Sequence, residues 1–163
     1  MSGRDAELRE SIEVAIYREI GARNFYRRIS EEIKNSEGAR KFAQLSEDED
    51  GHRVKLESWF ERLVGDTFSA RDDRVEQSEI RGIKLEEQTG ALEALNLAIE
   101  AEAKAREFYA ERAEKTDIPE LKELFENLSE EEAGHFNLLE AERNSIIGGF
   151  YWFDLDSTSF LED

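Results

Sequence analysis

Apolar residues recur at three- and four-residue steps along four long segments of the chain, the spacing that lines one face of an α-helix. The first segment, from about Ala6 to Lys34, aligns Leu8, Ile12, Ala15, Ile16, Glu19, Ala22, Tyr26 and Ile29. Asn35-Ser36-Glu37-Gly38 offers N-cap oxygens to the second, which runs to about Val64 before Gly65-Asp66 stops it. Its inward positions are Phe42, Leu45, Glu49, His52, Leu56 and either Trp59 or Phe60. The third begins near Gly90 and carries Leu95, Ala98, Ile99, Glu102, Ala105 and Tyr109. Asp117-Ile118-Pro119-Glu120 reads as a helix start, with an Asp cap, an early proline and a Glu three residues on. The fourth helix then presents Leu121, Leu124, Phe125, Leu128, Glu132, His135 and Leu139, ending near Gly148-Gly149.

Between Asp66 and Gly90 the chain is polar and only loosely patterned. A connection this long inside a compact domain needs a topological reason. In a four-helix bundle that reason is a crossover from one end to the other, which makes the second and third helices parallel. The expected fold is therefore all-α: an antiparallel four-helix bundle over residues 1–147, with a long crossover between helices two and three.

An internal repeat sharpens this picture. Sliding residues 8–52 by 83 positions onto 91–135 gives 17 identities without a gap. They include Glu19/Glu102, Ala22/Ala105, Arg23/Arg106, Phe25/Phe108, Tyr26/Tyr109, Phe42/Phe125 and Leu45/Leu128. Both histidines of the chain, His52 and His135, fall in register. Two helical hairpins, at about 6–64 and about 91–147, joined by a crossover over 66–90, imply a pseudo-twofold bundle.

Composition narrows the chemistry. At 163 residues the chain is most simply one domain, long enough to bury a core without staples. With 40 acidic against 22 basic residues and a net charge of -18, it repels phosphate backbones, so no nucleic-acid partner is expected. The absence of cysteine excludes disulfides, thiolate zinc sites, iron–sulfur clusters and cysteine nucleophiles. No apolar run approaches the roughly 20 residues that span a bilayer, and Met1-Ser2-Gly3-Arg4-Asp5 begins no signal peptide. No membrane association and a cytoplasmic location are the expectations.

Each repeat holds one Glu and, thirty residues later, a Glu-x-x-His: Glu19 with Glu49 and His52, then Glu102 with Glu132 and His135. Residues at i and i+3 share a helix face, so each Glu-x-x-His can grasp one centre. Glu19 and Glu102 interrupt stripes that are otherwise Ile, Ala, Leu and Tyr. Four inward carboxylates in a low-dielectric core cost several kcal/mol each if unpaired, on the order given for buried ions. Two divalent cations balance them, and two imidazoles add neutral nitrogen ligands. An isolated Glu-x-x-His is ordinarily a solvated helix face, and in a chain with 30 glutamates it carries no weight; repetition among apolar neighbours is what gives it meaning. Ser46-Glu47 and Ser129-Glu130 read as surface, Arg23 and Arg106 as ion-paired near the helix rim, and Glu13, Glu100 and Glu107 as solvated positions off the ligand face.

The motifs Glu19-x-x-Ala22-x-x-Phe25-Tyr26 with Glu49-x-x-His52, and Glu102-x-x-Ala105-x-x-Phe108-Tyr109 with Glu132-x-x-His135, resemble the ferritin-like superfamily, most closely its rubrerythrin branch, over about residues 8–143. Four oxygens and two nitrogens without thiolate suit iron or manganese better than a closed zinc site. The resemblance implies iron, two ions per chain, with Glu49 and Glu132 bridging and Glu19 and Glu102 terminal. Tyr26 and Tyr109, seven residues after a ligand on the same face, either orient the carboxylates by hydrogen bonds or are core aromatics with a satisfied hydroxyl. The implied activity is that of a di-iron oxidoreductase acting in oxidative stress, reducing hydrogen peroxide or dioxygen. The alternative is a ferroxidase that binds and stores iron.

Three departures from the family pattern bear on that choice. Many rubrerythrins end in a four-cysteine rubredoxin domain, which is impossible here, so electrons must come from an external donor or from ferrous iron. Typical rubrerythrins place an extra carboxylate one turn along the third helix, where this chain has Ala105; the bare six-ligand set looks more like a bacterioferritin centre. Met1 is the only methionine, so the internal methionine that holds interface haem is missing and no haem is expected. Finally, five of the 16 aromatic residues fall between Phe150 and Phe160, interleaved with Asp154, Leu155 and Asp156. Residues 148–163 read as an aromatic arm that covers a bundle end or a neighbouring subunit, and a homodimer is the expectation.

Overall fold

The computed structural model describes residues 3–78 and 88–148, and among these every regular element is an α-helix. Four are long: α1 (Gly3–Glu32), α2 (Ser36–Val64), α4 (Gln88–Lys115) and α5 (Pro119–Gly148); α3 (Asp72–Ser78) is short. The four long helices coincide with the four periodic segments to within a few residues. Their ends follow local chemistry. Asn35 Oδ1 accepts the Gly38 N–H at 2.8 Å, capping α2 as its sequence predicts. At the other end the Gly65 N–H reaches the Glu61 carbonyl at 2.8 Å with φ of 82°, the left-handed geometry that glycine adopts without a Cβ penalty. Pro119 occupies the first helical position of α5, where its missing N–H costs nothing.

The chain divides into two compact units, residues 1–27 with 43–81 and residues 28–42 with 82–163. In the first, α1 and α2 run antiparallel, for as the partner's number rises on α1 it falls on α2. Arg9 lies over the Phe60 ring at 5.7 Å, Glu19 faces His52, and Ser46 Oγ donates to the Arg23 carbonyl at 2.9 Å. Ile12, Ile16, Leu45 and Leu56 are almost fully buried, each worth about 1.5–3 kcal/mol relative to exposure. Phe60 rather than Trp59 is the buried aromatic at the end of α2.

The stretch after Gly65, polar and loosely patterned in sequence, is ordered by specific contacts. Phe68 sits edge-on to both Tyr17 and Phe60, at 5.6 and 5.3 Å between ring centroids. The Arg71 N–H donates to Tyr17 Oη at 2.9 Å, and Arg74 lies over the Tyr17 ring at 4.0 Å. Residues 72–78 then form α3, with Asp72 and Asp73 in the first turn where the helix dipole favours them. Two turns carry too few residues to display a 3.6-residue period, which is why the pattern is silent there. Residues 79–87 of the expected crossover and 149–163 of the expected aromatic arm lie outside the described residues.

In the second unit α4 and α5 are likewise antiparallel. Arg143 Nη1 donates to Asn96 Oδ1 at 3.1 Å, His135 faces Glu102, and Ser129 Oγ donates to the Arg106 carbonyl at 2.9 Å. Tyr109 stacks on Phe125 with centroids 6.1 Å apart. Leu95, Leu121, Leu128 and Leu139 are buried to 1% exposure or less. Among the described residues no helix is long and apolar enough to cross a membrane.

Candidate metal centre

All six residues of the two Glu…Glu-x-x-His sets are buried, although each belongs to a residue type that normally faces water. Glu19 points inward because it replaces an apolar residue within the stripe Ile12, Ile16, Ile20, Tyr26 of α1, and Glu49 and His52 do the same between Leu45 and Leu56 of α2. His52 Nδ1 stands 3.4 Å from Glu19 Oε2 and 3.8 Å from Glu49 Oε2. The second unit repeats the arrangement: His135 Nδ1 is 3.5 Å from Glu102 Oε1 and 3.8 Å from Glu132 Oε1. The two triads thus agree to about 0.1 Å, in keeping with the repeat that puts them in register.

These separations are longer than the 2.7–3.2 Å of an N–H···O hydrogen bond, the approximate range for such pairs. They lie close to the roughly 3.0–3.4 Å expected between two ligands bound at about 2.1 Å to one cation at angles of 90–110°. Each triad offers one nitrogen and two carboxylate oxygens within 4.8 Å of one another. The electrostatics point the same way. Burial, reinforced by the neighbouring Glu49 carboxylate, pushes the Glu19 carboxyl well above the usual carboxylate range, and its contact with His52 only partly opposes this. A cation at the focus of the triad removes that cost by supplying the missing positive charge. The donor set therefore fits a divalent metal of the iron or manganese type, with no thiolate to favour a structural zinc.

Tyr26 and Tyr109 are 2% and 1% exposed, and their rings pack on Phe25 and on Phe108 and Phe125. Ala105 is half-buried in α4, three residues after Glu102, and brings no donor atom.

A family model for rubrerythrin matches residues 10–143. The chain belongs to the rubrerythrin family. This places it among the ferritin-like di-iron proteins. Solved structures agree: a hypothetical protein from Pyrococcus furiosus is 26% identical over 86% of this chain and 90% of its own, with a TM-score of 0.71. A bacterioferritin from Rhodobacter capsulatus, solved with a metal-free dinuclear site and a haem iron, is 27% identical over 92% of this chain and 91% of its own, with a TM-score of 0.68. No curated protein sequence matches this rubrerythrin-family chain significantly. Both neighbours align over about nine tenths of their own length, and the described residues have an all-α, ferritin-like fold.

Several features around the triads escape a reading of the rubrerythrin pattern. Ser46, expected at the surface, is buried and tethers α2 to α1, and Ser129 is its half-buried counterpart in the second hairpin. A serine followed by a glutamate looks solvated, yet its short side chain can reach a carbonyl on the adjacent helix. Arg23 is ion-paired as expected, to Asp50 at 2.8 Å, whereas Arg106 lies over the Phe136 ring at 5.6 Å instead. Glu13 is half-buried and paired with Arg9 at 3.3 Å, rather than solvated; Glu100 and Glu107 are exposed as expected. Glu142, two turns beyond His135, is only 3% exposed. Its spacing from His135 and Leu139 on one face was the available signal; the aligned position of the first repeat, Trp59, concealed it.

Proposed function

We propose that the chain binds a di-iron carboxylate centre and reduces hydrogen peroxide or dioxygen with electrons from an external donor. The observation that carries this reading is the pair of matched buried triads, with imidazole-to-carboxylate separations of 3.4 and 3.8 Å in one and 3.5 and 3.8 Å in the other. His52 and His135 would each give Nδ1 to a metal, Glu19 and Glu102 would each serve as a ligand of one ion, and Glu49 and Glu132 would supply the remaining carboxylate oxygens. When bound, two ferrous ions supply one electron each to cleave an O–O bond.

The protein's own part is to exclude water, fix the ligands and handle protons. Reduction of peroxide to two waters takes up two electrons and two protons. The Tyr26 and Tyr109 hydroxyls, one helical face along from Glu19 and Glu102, are the proposed hydrogen-bonding groups that orient carboxylate oxygens and pass protons inward. The proposed electron donor is external, since the 163 residues contain no cysteine that could ligate a rubredoxin-type iron. The aromatic arm of residues 148–163 is proposed to serve a homodimer.

A second reading has one observation in its favour. Ala105 stands where rubrerythrins carry an extra carboxylate, leaving a six-ligand set of bacterioferritin type. Ferrous iron would then be the substrate, oxidised at the centre and stored, drawn in by the net charge of -18.

Anaerobic reconstitution with ferrous iron followed by stopped-flow mixing tests both. About two metals per chain are expected, as in other bundles with this ligand set. Fast oxidation by peroxide and sustained turnover with a reductase, without mineral, support the first reading. Retention of many irons per assembly as mineral replaces it with the second. Less than about one metal per chain, unaltered in His52→Ala and His135→Ala, removes the centre altogether.

A further inference from the structure

The two triads share ligand types, spacing and the serine tether, but they differ in the layer of side chains just outside. In the first hairpin Asp50 Oδ1 accepts from Arg23 Nη1 at 2.8 Å and from Arg53 Nε at 2.8 Å, and Arg53 Nη1 donates to Glu57 Oε2 at 2.7 Å. Asp50 directly follows Glu49, Arg53 directly follows His52, and Arg23 lies one turn beyond Glu19. The network therefore joins α1 to α2 through residues that adjoin Glu49 and His52 in sequence and lie one turn from Glu19. In the second hairpin the aligned residues are Ala133 and Phe136, and Arg106 makes a cation–π contact with Phe136 at 5.6 Å. Its aligned Glu140 meets Arg143, 3.8 Å away on the same helix.

We propose that Asp50 and Arg53 are positioning residues that make the Glu19–Glu49–His52 triad the tighter of two unequal metal subsites, with Glu102–Glu132–His135 the weaker. This rests on the metal-centre reading above. Charge-assisted hydrogen bonds shared by one carboxylate hold two helices at a fixed separation and rotation, so less freedom is lost when a cation gathers the three ligands. A guanidinium 5.6 Å from a ring centroid sets no such geometry. Direct Coulomb repulsion does not reverse the order, because Arg23 and Arg53 are balanced by Asp50 and Glu57. Outer partners of metal ligands typically change affinity by about 10–100-fold. These groups are partly solvated, with side-chain exposures of 21% for Arg23 and 41% for Asp50, so the lower end, about tenfold, is expected.

The test is titration of the full-length apo protein with cobalt(II), followed by its visible absorption. Two phases about tenfold apart are expected, with His52→Ala abolishing the tight phase and His135→Ala the weak one. Asp50→Ala/Arg53→Phe, which gives the first hairpin the residues of the second, should weaken the tight phase alone and bring the two together. Ala133→Asp/Phe136→Arg should tighten the weak phase, a gain that loss of folding cannot imitate. Asp50→Glu should restore most of the tight phase. Two equal phases in the wild type, or both phases weakened together in the exchange variant, overturn the inference while leaving the metal centre standing. No cobalt binding by the wild type overturns the metal-centre reading itself.

Discussion

The hydroxyl of Ser46 donates to the main-chain carbonyl of Arg23 at 2.9 Å, joining α2 to α1 one turn from both Glu19 and Glu49. Ser129 and Arg106 repeat the bond at the same length in the second hairpin. The tether fixes the register of the two helices that carry Glu19, Glu49 and His52. Ser46→Ala removes it, and a stability loss of about 1 kcal/mol is expected from a lost hydrogen bond at a buried site. Ser129→Ala, at a more exposed position, should lose less. Urea midpoints of the two apo variants check the order; equal midpoints to wild type for Ser46→Ala would show that the bond contributes nothing net.

Metal removal should destabilise the protein. Two buried sets of carboxylates without a cation sit in a poor solvent, and a metal that binds only the folded state stabilises it by about 2.7 kcal/mol at one hundred times its dissociation constant. Melting temperature should therefore rise on addition of ferrous iron or cobalt(II), and the rise should shrink in His52→Ala. Glu19→Gln should behave oppositely in the two states. The apo variant is expected to melt above apo wild type, because a carboxyl whose ionised form burial disfavours has gone, while its metal-induced rise is smaller. Calorimetry of the four samples decides; an apo variant less stable than wild type would mean the carboxylate is well accommodated without metal.

Much of this architecture was legible because the long helices obey one rule for most of their length. Ile12, Ile16, Leu45, Leu56, Leu95, Leu121 and Leu128 are all buried, as their spacing requires, and the glutamates and histidines that interrupt those stripes are buried too. An acid inside an apolar stripe is informative because its burial is expensive. What remained hidden depends on single contacts rather than period. The packing of Phe68 on Tyr17 and Phe60 turns a polar stretch into an ordered segment, and one aromatic residue makes no pattern. The burial of Ser46 depends on a carbonyl 23 residues away. The contrast between Asp50–Arg53 and Ala133–Phe136 was visible in the alignment of the repeats, but only the ion pairs give it meaning.

Gly51 and Gly134, each directly preceding a histidine of the triads, sit inside long helices at exposed positions, where a Cβ would meet nothing within 4 Å. Glycine at such a site costs about 0.5–1 kcal/mol relative to alanine through backbone entropy. Gly51→Ala and Gly134→Ala are thus expected to stabilise the apo protein by about that amount each, additively in the double variant since the sites lie on separate hairpins. Chemical denaturation measures the gain. If metal uptake falls in either variant although stability rises, helix flexibility beside the histidine contributes to loading, and the glycines are kept for function.

Asp50 gives the pH dependence a definite sign. Hydrogen bonds from Arg53, with those from Arg23, lower its carboxyl to about 2, against an ordinary value of 3.8. A folded-state value below the unfolded one means that the ionised carboxylate stabilises the fold. That contribution is complete above about pH 4 and is lost as pH falls towards 2. Because the Asp50 side chain is 41% exposed, solvent screening holds the gain to about 1 kcal/mol or less. Asp50→Asn should therefore melt below wild type at pH 6, and the gap should narrow steadily between pH 4 and pH 3. The comparison is made on apo protein, so that acid release of a bound metal does not enter the difference. Equal melting of Asp50→Asn and wild type at pH 6 would show that the carboxylate charge is immaterial and that a neutral acceptor serves the two arginines equally well.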